Sequence, residues 1–168
     1  MYDLKKEYNK CIEILSGIGI KSGNINSVVA NSRAKSRWGY CTIEPSGFKI
    51  EVSSILLDER NPLRALHDTL IHEILHTCPN CFNHQYDWNY LANKVNRVLG
   101  FNITRCSSVS DKRICEETLI EDKRAKYLVT CLKCHHHTYL YKKSGIVEKT
   151  YLYTCGKCGG KFKVEKLN

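Results

Sequence analysis

Apolar positions recur at helical spacing in three stretches of the chain. Tyr2, Leu4, Tyr8, Cys11, Ile12, Ile14 and Leu15 predict a helix over 2–16, which Gly17 and Gly19 end. Leu63, Leu66, Leu70 and Ile74 repeat the rhythm over about 62–76, with Pro62 in the first turn, where its missing N–H costs nothing. Trp88, Leu91, Ala92, Val95, Val98 and Leu99 set the same face over about 85–99, and Gly100 is a good stop. Three short β-prone runs, 27–31, 38–43 and 48–53, lie between the first two helices. Pro45-Ser46-Gly47 makes a turn between the last two, which predicts an antiparallel hairpin. Residues 77–83 form a loop. Residues 103–125 are polar and charged, and 127–166 alternate β-prone residues with turns. The expected fold class is α+β. Helices with a small antiparallel sheet occupy 1–105, a linker covers 106–125, and a small β-rich module covers 126–168.

A chain of 168 residues can bury one core and carry such a module. The formal charge of +9 is uneven. Residues 121–168 hold eleven Lys/Arg against four Asp/Glu, a net of +7, leaving +2 for the rest. That balance suggests an anionic partner without naming it; a solvated basic surface is the simpler account. Met1 to Lys10 is charged and lacks the apolar run of a signal peptide, and no stretch approaches a transmembrane helix. A cytoplasmic location and no membrane partner are the expectation. With no secretion signal, the ten cysteines point to metal binding rather than disulfides.

The motif with the most chemistry is His72-Glu73-Ile74-Leu75-His76. Residues four apart share a helix face, so His72 and His76 can hold one zinc ion while Glu73 serves as general base toward a water. A catalytic zinc takes a third protein ligand. Metzincins continue the motif with Gly and His, where this chain has Pro79 and Phe82, so that class is excluded. A thermolysin-like site needs a Glu on the next helix, and none occurs between Glu73 and Glu116. His84, at the start of the next helix after a loop long enough to reverse the chain, is the leading third ligand. Asp87 is the alternative, and Cys78 with Cys81 form a local Cys-x-x-Cys pair. His67 points to a different face.

Cys131-x-x-Cys134 and Cys155-x-x-Cys158 have the spacing of a four-cysteine zinc ribbon. Four thiolates close the coordination sphere, so this second zinc is structural. A segment of this size has too little core to fold well alone, and the metal supplies the difference. His135-His136-His137 is read as a polar surface. Lys133, Lys142, Lys143, Lys157, Lys161 and Lys163 are interleaved with Tyr139, Tyr141, Tyr151 and Tyr153. Lysines neutralise phosphates and exposed aromatics stack on bases, so a nucleic-acid surface is one reading, with single-stranded DNA the preferred form. Tyrosines packing a small core under soluble lysines is the other.

The zinc motif, the loop to Asn83-His84 and the following Trp88 resemble the SprT-like (Spartan-related) zinc metalloproteases. Arg37-Trp38-Gly39-Tyr40-Cys41 and Phe48-Lys49-Ile50 resemble the hairpin before the motif helix in that family. Gln85 stands where the family usually has Gly, which leaves the ligand assignment intact. The resemblance covers about residues 2–105, and a C-terminal zinc ribbon is present in many bacterial members. It implies a zincin-like metallopeptidase with His72, His76 and His84 on zinc and Glu73 as catalytic base. It also implies a protein substrate, with DNA-associated proteins one class of it. Tyr40, Tyr86 and Arg37 are candidates for a second oxyanion donor. The alternative function is a zinc-ribbon nucleic-acid-binding protein with a non-catalytic zincin scaffold; retention of Glu73 argues against it.

Overall fold

The computed structural model describes residues 1–34, 37–115, 118–119 and 125–167. The chain divides into two compact units, Met1–Cys115 and Glu116–Asn168. In the first unit the order is α1 (Leu4–Gly17), β1 (Ile25–Asn31), β2 (Gly39–Glu44), β3 (Gly47–Ser53), a 3-10 turn (Ser54–Leu57), α2 (Leu63–Leu75) and α3 (Tyr86–Leu99). The second contains β4 (Tyr127–Cys131), β5 (His137–Leu140), a short helix (Gly145–Glu148), a 3-10 turn (Thr150–Leu152) and β6 (Phe162–Lys166). The α+β class read from the sequence holds. No described helix is long and apolar enough to cross a membrane.

The first sheet has the order β1-β3-β2. β2 and β3 form the expected antiparallel hairpin, from Gly39 opposite Val52 to Glu44 opposite Gly47. β1 adds to the other side of β3 in parallel, Val28 opposite Ile50. That leaves β2 as an edge strand beside α2. Ile50 and Val52 of β3, Leu66, Leu70, Ile71, Ile74 and Leu75 of α2, and Cys11 and Leu15 of α1 are buried together with Trp88 and Val95 of α3. The helix that carries the His-Glu-x-x-His motif is therefore the central element of this core.

α1 starts at Asp3, whose side chain accepts the Lys6 N–H. It is pinned to α2 by a buried contact: His67 Nε2 donates to Glu7 at 2.7 Å, and Lys10 Nζ donates to the same carboxylate at 2.8 Å. Burial raises the Glu7 pKa, but the hydrogen bonds from Lys10 and His67 outweigh it and hold the carboxyl below its usual 4.5. A lowered folded pKa means that the stabilisation is complete above about pH 4.5 and is lost as pH falls through the lowered value. Glu7→Gln is expected to cost about 1.5–3 kcal/mol at neutral pH, the range for a hydrogen bond to a charged group, and to cost progressively less in acid. Denaturant melts at pH 7 and pH 3 check this; an equal loss at both would deny the carboxylate its role.

Residues 106–115 were expected in the linker. The structure includes them in the first unit. Cys115 N–H donates to Asn61 Oδ1 at 2.7 Å, Ser107 O accepts from Trp38 Nε1 at 3.1 Å, and Ile114 is buried. The rest of the expected linker includes 116–117 and 120–124, which lie outside the described residues.

In the second unit, β4 is the centre of an antiparallel sheet in the order β5-β4-β6. Among its described residues the buried apolar side chains are Leu119, Ala125, Val129, Cys131 and Cys155. Tyr139 and Tyr141 are half-buried, Tyr151 and Tyr153 are exposed, and the lysines interleaved with them are exposed.

Candidate metal centre

One turn of α2 places His72 and His76 on the same face. His72 Nε2 and His76 Nε2 lie 3.2 Å apart. α2 stops at Leu75 because Thr77 turns back, its Oγ1 donating to Ile74 O at 2.7 Å. The loop then turns at Asn80, with φ 59, and returns the chain to the start of α3. His84 arrives there with its Nε2 3.0 Å from that of His72. His72, His76 and His84 form a group whose ligand atoms all lie within 4.8 Å of one another, while Asp87, Cys78 and Cys81 belong to no such group among the described residues.

The outer ring nitrogens explain how the imidazoles are aimed. His72 Nδ1 meets Thr104 O at 3.0 Å, and His76 Nδ1 meets Cys81 O at 2.9 Å. A carbonyl only accepts, so both Nδ1 atoms carry the proton and both Nε2 atoms present lone pairs. Two lone pairs 3.2 Å apart repel unless a shared cation lies between them. Protonation does not resolve the conflict. Burial first, then His76 and His84, push the His72 pKa down to about 3, and burial also lowers His76 and His84. The Trp88 indole closes the inner side, with ring centroids 4.8 Å from His72 and 4.6 Å from His84.

These carbonyls are carried in by chain geometry that no motif marks. Cys81 is held by a turn in which its N–H donates to Cys78 O at 3.1 Å. The Cys78–Cys81 pair thus serves His76 through its backbone. Thr104 is delivered after α3 ends at Gly100, which takes φ 65. Asn96 then clamps Ile103, accepting its N–H at 2.7 Å and donating to its carbonyl at 2.9 Å. Arg64 of α2 lies over the Phe101 ring at 3.6 Å and donates to Gly100 O.

Glu73 is buried beside the histidines, against the start of β2. A Cβ at Gly39 would collide with Oε1, Cγ and Cδ of Glu73, so the glycine makes room for the carboxylate. Burial pushes the Glu73 carboxyl up to about 8, while Arg37 and Lys112 pull it back. Arg37 lies over the Tyr40 ring at 3.9 Å, Tyr40 is half-exposed, and Tyr86 is 81% exposed, so Arg37 is the oxyanion candidate that faces the Glu73 cavity. His67 is engaged by Glu7, away from the cluster.

Residues 6–107 match the SprT-like family. The chain belongs to the SprT-like family. No curated protein matches it. The SprT-like match covers all three histidines, Glu73, Gly39 and Thr104, and stops before Lys112.

The second unit gathers Cys131, Cys134, Cys155 and Cys158, again with all ligand atoms within 4.8 Å of one another. Cys131 Sγ lies 3.4 Å from Cys158 Sγ, and Cys134 Sγ 3.7 Å from Cys155 Sγ, distances at which no disulfide exists. The Cys134 N–H, and more weakly that of Lys133, lower the Cys131 thiol against the effect of burial, while the neighbouring sulfurs push the Cys158 thiol up. Gly160 passes so close that a Cβ there would lie 2.8 Å from Cys131 Sγ. His135, His136 and His137 are not members of the sulfur group.

Proposed function

We propose that this SprT-like protein is a zinc-dependent metallopeptidase. The observation that carries the reading is three imidazole nitrogens converging beside a buried carboxylate that stands outside their group. Tetrahedral zinc with nitrogens at about 2.0–2.1 Å sets its ligand atoms about 3.3 Å apart, close to the 3.0 and 3.2 Å found here. His72, His76 and His84 would hold this ion. For four thiolates at about 2.3 Å the expected spacing is about 3.8 Å, near the 3.4 and 3.7 Å of the sulfur group. Cys131, Cys134, Cys155 and Cys158 would hold a structural zinc with no open position.

Held by His72, His76 and His84, zinc would supply Lewis acidity, lowering the pKa of a water and polarising the scissile carbonyl. Glu73 accepts a proton from the attacking water on a carboxylate oxygen. It later passes that proton to the nitrogen of the leaving amine. Gly39 fixes where the carboxylate stands, Trp88 keeps solvent from the inner face, and Arg37 offers charge toward the developing oxyanion. The Thr104 and Cys81 carbonyls keep the imidazole rings from rotating. The test is cleavage of casein and histones by the zinc-loaded chain, with and without single-stranded DNA. Failure to cleave any protein under all these conditions would reject the peptidase reading.

The second unit supports an association with nucleic acid within the same reading. Lys133, Lys142, Lys157 and Lys161 are exposed, as are Tyr151 and Tyr153 at 71% and 42%, and Lys161 Nζ donates to Tyr151 O at 3.5 Å. Binding to a labelled single strand, read by anisotropy, is expected to fall steeply with salt. Replacing Lys142 and Lys157 by Ala should flatten the slope of log affinity against log salt by about one to two units. Tyr151→Ala should weaken single-strand binding more than duplex binding if the ring stacks on bases. Absence of binding at low salt would leave the ribbon as a stabilising or protein-contact module.

A further inference from the structure

Lys112 is 9% exposed, yet its ammonium has no ion pair with a described carboxylate. Its one hydrogen bond is a long one, Nζ donating to Ala65 O at 3.4 Å. An ammonium has three donors, and burying it without an anion is costly. The nearby acids are committed elsewhere. Asp68 pairs with Arg64 at 3.3 Å and accepts the Asn102 N–H. Glu73 lies against Gly39, in the position of the general base. Asp111 accepts from the Ser108 N–H and hydroxyl, both at 2.7 Å.

Lys112 lines a cavity of about 210 Å³ that also reaches His72 and Glu73. Arg37 and Arg105 stand on the same lining and are exposed. The recess directly beside the histidine cluster thus carries three cationic side chains, Lys112, Arg37 and Arg105, against Asp68 and Glu73, and among the described residues no carboxylate pairs with the Lys112 ammonium. It has the size for a side chain rather than for a folded partner. We propose that this recess is a specificity site in which Lys112 receives the carboxylate of an acidic residue flanking the scissile bond. The inference rests on the peptidase reading. It makes Lys112 a substrate-contacting residue, and it predicts that polypeptides with Asp or Glu next to the cut are preferred.

The experiment compares internally quenched peptides that differ only in Glu against Gln on either side of the cleaved bond. A third peptide carries Gln with a free C-terminal carboxylate, which separates a side-chain acid from a chain terminus. With the full zinc-loaded chain, kcat/KM is expected to favour the Glu peptide about tenfold or more. Lys112→Met should collapse the Glu/Gln ratio toward one. Lys112→Arg should keep the preference, and Lys112→Glu should shift it toward a Lys-containing peptide. A merely structural lysine would lower both peptides equally and leave the ratio intact, which would overturn the proposal, as would a wild-type ratio of one. Preference for the free terminus alone would also overturn it. Anisotropy of the same peptides, labelled, on zinc-loaded Glu73→Gln reads binding without cleavage. Equal affinity for Glu and Gln there rejects the acidic site, whereas tighter Glu binding with no hydrolysis by wild type rejects the peptidase reading alone.

Discussion

Glu73→Gln is expected to retain zinc at the histidine site and to lose protein hydrolysis by a factor on the order of hundreds or more. The substitution is nearly isosteric, so the packing against Gly39 is preserved. What disappears is the group that takes a proton from the attacking water, a contribution of about 10²–10⁴ in rate for a positioned base. Zinc should remain because Glu73 is not among the three clustered histidines. The carboxamide also removes a buried group whose ionisation is opposed by burial, so the variant should fold at least as well as wild type. Cleavage of casein and histones alongside metal analysis of the same preparations is the measurement. Equal rates for wild type and variant would remove Glu73 from the mechanism. Gly39→Ala is the companion: it pushes on the same carboxylate without altering its charge, and a shift of about 1 Å costs on the order of 10² in rate.

How much of this was legible in the sequence follows from which interactions are local. His72 and His76 sit four apart on one helix, so their meeting follows from helical geometry alone. His84 was readable because the loop from Thr77 to Asn83 is short and the next apolar face begins at once. The sulfur group was readable from spacing, since two Cys-x-x-Cys turns in a small segment have few other uses. The parallel pairing of β1 with β3 was not, because the hairpin alone satisfies the local pattern and β1 docks through long-range contacts. The Thr104 and Cys81 carbonyls that aim the histidines are main-chain atoms, invisible to a reading of side chains. Residues 106–115 look like a linker because polar residues dominate them. In the structure their polar groups find partners on the first unit, and Lys112 is carried under that cover to the Glu73 cavity. Here the local pattern misleads at a segment that builds a wall of the site.

Metal removal separates the two units. The chain should carry two zinc ions, and His84→Ala should lose about one of them while residues 125–167 keep their fold. The histidine site lies on a unit with its own core, from Leu66 and Ile74 to Trp88, so losing a ligand there costs metal rather than structure. Cys155→Ser should do the reverse. It removes a buried sulfur of the four-cysteine group from a unit whose described buried apolar side chains are few, and a structural zinc is worth roughly 10 kcal/mol or more of folding free energy in small domains. Residues 125–167 should then lose dispersed NMR signals while Leu4–Leu99 keep theirs. Chelation of wild type should produce both effects at once, with the ribbon resonances collapsing and those of α2 only shifting. If His84→Ala keeps both ions, the third ligand is not His84, and Asp87, in the first turn of α3, becomes the residue to replace. If Cys155→Ser keeps the β5-β4-β6 sheet intact, the sulfur group is not what holds that sheet together.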